Sequence, residues 1–509
     1  MNYKFFITFC LWCLSIQAYA QTYYINAKTG NDAHSGLSPE KAWKTLRKVN
    51  MTTFKSGDSI LFRAGQEWEG MLHPGGSGEE GNMIVISKYG QGEMPKIHGG
   101  HADPVYFEGI KSIQTVLLDN QQYWVISDLE ITNMPDNLIK DFEDNGDEKR
   151  RGIFVVAADT GELRNITIKN NYIHHVKGDD TKDFHGSGGI MFSVLGKKPS
   201  FFNGVYILNN RVRMVNRTGI GISSYWQRRP RNEIYPFSWM DEMGDYHASL
   251  NVVIRGNDLE SIGGDGIVPQ TTLKTLMEYN KVNGAASRSK GYNAGLWAWN
   301  SDSALIQYNE VCNTMTVRDG MAFDCDAYSV GNIYQYNFSY NNMGGFMLFH
   351  GYSDDVPDAM NVGHIIRCNI SMNDGHSLFH FYGSGHSQSV IHHNLLFNNK
   401  TKVIPVKVAG KPSDIEITHN FLHIAKMRKW IGVDSIGKFI FSDNIISKDK
   451  RFFPKYNVIR KTTRSDLYQL FNRQQELTDG HDELINPEMI RQFWKTIIEK
   501  ASDGRYGNH

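Results

Sequence analysis

The stretches "ALIQYNEVCNT" (304–314) and "NIYQYNFSYNN" (332–342) decide the fold, because both carry alternating apolar residues, an Asn, and a second short apolar run. Alternation with a period of two marks a half-buried strand. The pattern returns in "NITIKNNYIHHV", "GVYILNNRVRMV", "NVVIRGNDLESI", "LMEYNKVNGA", "HIIRCNISMND", "SVIHHNLLFNN" and "DIEITHNFLHI". Its aligned asparagines are Asn171, Asn210, Asn257, Asn280, Asn309, Asn337, Asn369, Asn394 and Asn420, and from Asn257 onward they stand 23 to 32 residues apart. A unit of that length cannot bury its own apolar face, so copies must stack on one another. The predicted architecture is all-β, a right-handed parallel β-helix. Each Asn then lies at a corner between strands, where it tolerates left-handed backbone and can bond to the next coil. One structural ladder accounts for all nine asparagines, and none is assigned to catalysis.

A solenoid needs covers at its ends. "YYINAKTGNDAHSGLSPEKAWKTLRKVN" (23–50) reads as a strand followed by a helix, with Ser38 as N-cap and Pro39 at the first helical position. "TRSDLYQLFNRQQEL" and "NPEMIRQFWKTIIEK" read as helices after the last coil. The expected division is a cap over 21–57, a β-helix over 58–455 and a helical extension over 456–509. The opening "MNYKFFITFCLWCLSIQAYAQ" has a lysine, a short apolar run and Ala18-Tyr19-Ala20, which fits a signal peptide cleaved before Gln21. Export to the periplasm or beyond is therefore expected. The apolar run is too short for membrane insertion.

With 54 basic and 54 acidic residues in 509, no electrostatic case exists for a nucleic-acid or strongly anionic membrane partner. Cys312, Cys325 and Cys368, the cysteines beyond the leader, are too few and too irregular for a disulfide framework or a zinc site, and read as buried thiols. A monomer is expected.

A third strand recurs after each Asn: "GIVPQTT", "GLWAWNS", "GMAFDCDA" and "GFMLFHG". Aligned on the glycine, the inward residues are Ile267, Leu296 with Ala298, Met321 with Phe323, and Phe346 with Leu348. The outward ones are Gln270, Trp297 with Trp299, Asp324 with Asp326, and Met347 with Phe349. Coils stack about 4.8 Å apart, so Trp299, Asp324 and Phe349 become outer-face neighbours. Two carboxylates inside a strand cannot be left in an apolar core and must face water, a metal or a substrate. Asp319 and Asp265, each just before a glycine, are read as equivalent corners, and a turn role competes with function there. His350 falls on the strand after the acidic one, where a surface or turn histidine competes with a role as general acid or hydroxyl ligand. Asp302 completes the substrate-binding set with Gln270, Trp297, Trp299, His350 and Phe349. Aromatic faces beside carboxylates suit pyranose rings; packing beneath the long insertion at 226–247 is the competing reading for the tryptophans. "DFEDNGDEK" (141–149) departs from an EF-hand loop at Glu143, and the position of its bidentate Glu is Gly152.

On "GGDGIV", "YNAGLWAWNSDSALIQYNEV", "DGMAFDCDA" and the cap, the chain resembles the pectate-lyase-like, right-handed parallel β-helix enzymes that act on polysaccharides. It is closest in character to their glycoside hydrolases. The "GHG" and "RIK" pattern of polygalacturonases is absent. The resemblance implies a polysaccharide or oligosaccharide substrate. A hydrolase would use a carboxyl pair from Asp324, Asp326, Asp319 and Asp265, without a metal or cofactor. A lyase would need a base, for which Arg288 and Lys290 are the candidates, with calcium as a possible partner. A third reading is a non-catalytic glycan-binding β-helix.

Overall fold

The computed structural model describes residues 20–135, 146, 148–182, 186–229, 244–351, 361–428, 431–433 and 439–447. The leader up to residue 19, six of the nine residues of "DFEDNGDEK" and the two C-terminal helices expected from sequence lie outside these residues.

The chain winds as a right-handed parallel β-helix. Each coil gives one strand to each of three long sheets of 15, 12 and 13 strands among the described residues. Pairing is parallel throughout these sheets except where Val105–Phe107 folds back on Ile110–Asp119. Apolar residues stack in columns, as in Trp124, Ile166, Val205 and Val252 on four successive coils, all fully buried. Burying each such side chain stabilises the fold by about 1.5–3 kcal/mol, and no coil could do so alone.

The asparagines form the expected ladder. Each backbone N–H from Asn171 to Asn420 donates to the side-chain oxygen of the next, as at Asn280 to Asn309 and Asn309 to Asn337, both 3.0 Å. Each side-chain amide also donates to a carbonyl, Asn309 to Met277 O at 2.9 Å. The ladder runs one rung beyond the nine, to Asn444. The left-handed position is not the Asn itself but the residue before it: Tyr279, Tyr308, Tyr336, Cys368, His393 and His419 have φ between 54° and 56°. Freed from that role, the Asn turns its amide inward along the ladder.

The N-terminal cover differs from expectation. Pro39–Lys41 is a single 3-10 turn and the Ser38 side chain caps nothing. The α-helix is Leu46–Asn50, where the Thr45 side chain accepts from Lys48 N–H. Thr22–Ile25 already pairs with Ser59–Phe62, so the first sheet begins inside the segment read as a cap.

Candidate active site

The 12-stranded sheet carries the acidic strand, Met321–Cys325. Phe323 and Cys325 join the core while Asp324 and Asp326 face outward, as alternation requires. Ala322, which alternation would turn outward with the aspartates, also belongs to the core at the strand's start.

The glycine alignment places three coils on the right faces and one on the wrong face. Ile267 pairs with Leu296 and Leu296 with Phe323, so Gly295 matches Ala322 and the alignment on Gly320 is off by two residues. A slip of two keeps every side chain on its face. On the next coil Phe323 pairs with Met347 and Asp324 with Leu348, a slip of one that inverts the faces of Met347, Leu348 and Phe349, while Phe346 is in the core as read, edge-on to Phe323 and Phe379. The doublet Gly344-Gly345 causes the error: Gly344 N–H donates to Gly320 O, and Gly345 is the residue that pairs with Met321. Met347 and Phe349 are therefore core residues, Phe349 stacking on Phe381 with centroids 4.4 Å apart, and Leu348 faces outward. Phe349 is not a neighbour of the acids on the outer face.

The outer face thus holds two columns. One runs Trp297, Asp324, Leu348, His380. The other passes from Gln270 and Trp299 through Asp326 and His350 to Tyr382. His350 Nδ1 lies 2.8 Å from Asp326 Oδ1, which also accepts from Ala327 N–H at 2.7 Å. Burial lowers the His350 pKa, but Asp326 beside it and Asp319 outweigh burial and hold it above the ordinary value.

Asp324 is buried, flanked in register by Trp297 and Leu348, and its Oδ1 has no hydrogen-bond partner among the described residues. Burial, reinforced by Asp326 and Asp319, pushes its pKa well above the carboxylate range. Asp319 is half-buried, in left-handed backbone at φ 59°, and burial pushes it up to about 6 against the pull of His350 and Lys182. Asp265 behaves oppositely. Burial would raise it, but Lys182 and Arg217 outweigh that and lower it, Arg217 at 2.7 Å and Lys182 at 3.6 Å. It also accepts from Ala294 N–H and Trp297 Nε1. Nor are Asp265 and Asp319 equivalent corners, since Asp319 pairs with Asn293, one residue before the Ala294 that bonds Asp265.

Trp297 and Trp299 point outward as read, but are only 4% and 7% exposed, packed with Val268, Ala294, Ala327 and Tyr328. Of the two readings, packing describes them. Asp302 sits in a two-pronged ion pair with Arg229, at 2.9 and 3.0 Å, which anchors the end of the 226–247 insertion. Arg288 donates to Ser261, Asn216 and the Val215 carbonyl, a clamp between coils and not a free base. Gln270 lines a small cleft beside the acids with Met191, Ser223, Val268 and the Lys182–Asp265–Arg217 group. Lys182 and Arg217 escaped the sequence reading. Lys182 comes from a loop three coils upstream and lies 4.9 Å over the Trp297 ring, and nothing in the strand repeat signals it. Arg217, directly before Thr218–Ser224, could have been found by aligning that strand with the acidic one. Among the described residues, no group of three or more His, Cys, Asp or Glu is placed to hold a metal ion, and no helix is long and apolar enough to cross a membrane.

Fold and site together define a right-handed parallel β-helix with an acidic cluster on the outer face of its 12-stranded sheet. No protein-family profile matches the chain. It is 27% identical over a 452-residue alignment to a lacto-N-biosidase of Bifidobacterium longum subsp. longum. That alignment takes in 75% of this chain and 28% of the relative, so the chain spans less than a third of that protein's length. Among solved structures it is similar to the GH136 lacto-N-biosidase from Eubacterium ramulus, with a TM-score of 0.66 and 24% identity, covering 84% of this chain and 68% of that one. A second similar fold is XylC in complex with xylose, with a TM-score of 0.50 and 11% identity, covering 87% and 86% of the two chains. These structures share the β-helical architecture.

Proposed function

We propose that the chain is a glycoside hydrolase that cleaves an oligosaccharide at the acidic strand. The observation that carries this is the two carboxyls that flank the strand Met321–Cys325: Asp319, pushed up to about 6 by burial, and Asp326, 2.8 Å from His350 Nδ1. Glycoside hydrolysis needs a carboxyl that can donate a proton and a second carboxylate. Asp319 protonates the leaving oxygen. Asp326 attacks the anomeric carbon if the two carboxyls stand about 5 to 5.5 Å apart, or activates water if they stand about 6.5 to 9.5 Å apart. Asp265 stays ionised and orients Arg217, Lys182 and Trp297. Burial, with Asp326 and Asp319 nearby, outweighs the pull of Lys182 and favours the neutral form of Asp324.

The similarity to two lacto-N-biosidases supports a glycan substrate and makes lacto-N-biose-terminated oligosaccharides the first to try. Export outside the cytoplasm, proposed from the leader-like residues 1–20, suits such a substrate. The test is incubation with p-nitrophenyl glycosides and a panel of plant, algal and host oligosaccharides. Saturated reducing sugars are the expected product. Products with the ultraviolet absorbance of an unsaturated uronate would make the chain a lyase, and binding without cleavage a lectin-like β-helix.

A further inference from the structure

The tryptophans once read as a sugar platform are packed away, which leaves a glycan at the acids without an aromatic surface on that side. The column that holds Asp326 supplies one on the other. His350 on the next coil pairs in register with Tyr382 on the coil after, and their rings lie nearly parallel, 17° apart with centroids 5.4 Å apart. Tyr382 is 48% exposed, against 4% and 7% for Trp297 and Trp299. Its register partner beyond is Ala409, a single methyl. One ring face is therefore taken by His350 and the His380 ring meets Tyr382 edge-on, centroids 6.2 Å apart, while among the described residues the register partner on the other side is only the Ala409 methyl.

We infer that Tyr382 is the stacking platform of a sugar subsite, taking the C–H face of a pyranose ring of the same glycan whose bond lies at Asp319 and Asp326. This rests on the hydrolase reading. Coils are spaced about 4.8 Å apart, so Tyr382 stands about 10 Å from Asp326 along the β-helix axis. A glycan reaching it runs across the coils, parallel to that axis. A pyranose offers an apolar face and polar edges, and a flat ring with one free face is its natural partner. The parallel contact with His350 fixes the tilt of the Tyr382 ring, so the platform and the carboxylate it serves are held by one stack.

The experiment compares wild type, Tyr382→Ala and Tyr382→Phe on a lacto-N-biose-terminated tetrasaccharide and on p-nitrophenyl lacto-N-bioside, with calorimetric binding of the tetrasaccharide measured alongside. Tyr382→Ala is expected to lower kcat/KM on the tetrasaccharide about tenfold, mainly through KM, and to weaken binding in proportion. Tyr382→Phe, which keeps the ring, is expected to stay within about twofold of wild type, and the effect of Ala is expected to shrink on the short glycoside. Equal losses on both substrates, or none on either, would overturn the platform while leaving hydrolysis standing. If wild type cleaves neither substrate, the hydrolase reading has failed on this glycan class and the binding measurement decides alone. Tetrasaccharide binding lost in Tyr382→Ala keeps the platform; no binding, or equal binding by both proteins, removes it.

Discussion

His350 and Asp326 sit side by side on adjacent coils, Nδ1 to Oδ1 2.8 Å, and the stacking register of the β-helix alone brings them together. Twenty-four residues separate them in sequence. The pair gives Asp326 a hydrogen-bonded partner at the sheet surface, where Asp265 is ion-paired to Arg217 and Lys182 and Asp324 Oδ1 has no hydrogen-bond partner among the described residues. Asp265 is lowered and Asp324 raised because their partners differ, not because their sequence contexts do.

The His350–Asp326 pair makes stability depend on pH. The folded state raises the His350 pKa, so the contribution is fully present below the unfolded value near about 6.5 and is lost as pH rises through the folded value. His350→Gln should therefore lower Tm at pH 6, through a loss of stability on the order of 1 kcal/mol for a partly exposed pair, and change it little at pH 9. Differential scanning calorimetry at the two pH values checks this. An equal loss at both would mean that packing against Tyr382, not charge, carries the effect.

Asp319 should show itself in the pH–rate profile. A general acid must be protonated, and its carboxyl is pushed up to about 6. The profile of kcat/KM should therefore fall as pH rises above that value. Asp319→Asn and Asp326→Asn should each lower kcat by about 10² to 10⁴, with Asp319→Asn also losing the fall above pH 6. If that limb survives in Asp319→Asn, another group is the acid.

Phe349→Ala distinguishes the register seen from the one the sequence suggests. Placed in the core and stacked on Phe381, Phe349 should cost about 3 to 5 kcal/mol of stability when truncated, read by urea denaturation, whereas an outer-face Phe would chiefly affect substrate binding. The comparison also shows what was legible beforehand. The asparagine repeat set the architecture, because a ladder must repeat to exist. Strand alternation placed Asp324 and Asp326 outward, because a period of two survives a slip of two. Where Gly344-Gly345 offered two glycines to align on, the choice was undetermined and the faces inverted. Lys182 comes from a loop, which carries no period, and the tryptophans are buried by Val268 of the preceding coil together with Ala294, Ala327 and Tyr328 at the strand ends. The charge states of the aspartates depend on partners from other coils, and no strand contains that information.

The ladder should be expensive to break in the middle. Asn309 accepts from Asn280 N–H and side chain and donates to Met277 O and Asn337. Asn309→Ala leaves the Met277 carbonyl and the Asn280 amide buried without these partners. At about 1 to 3 kcal/mol for each unsatisfied group, a loss of about 3 kcal/mol is expected in urea denaturation. A loss below about 1 kcal/mol would mean that water or a shifted neighbour replaces the rung.

Asp324→Asn separates a neutral aspartate from a catalytic one. Asp324 stands on the same strand face as Asp326, yet it lies between Trp297 and Leu348, nearly inaccessible, with no cation bonded to its carboxyl. A charge in that position would be left without compensation, and burial with the nearby Asp326 and Asp319 charges raises its pKa well above the ordinary value. The sign for stability follows. A carboxyl whose folded pKa is raised costs nothing below its unfolded value, near about 3.9, and an increasing amount as pH climbs from there toward the folded value, because folding must then add a proton. Asn needs no proton. Asp324→Asn should thus match wild type in Tm near pH 4 and exceed it near pH 8, provided the amide fits where the acid did. On activity, an uncharged replacement for an uncharged group should keep kcat/KM within about tenfold of wild type, well short of the 10² to 10⁴ expected for the acid-base groups. The fall above pH 6 should stay where it is. If Asp324→Asn instead loses as much as Asp326→Asn, or shifts that limb, Asp324 ionises in the working enzyme and belongs to the reacting pair.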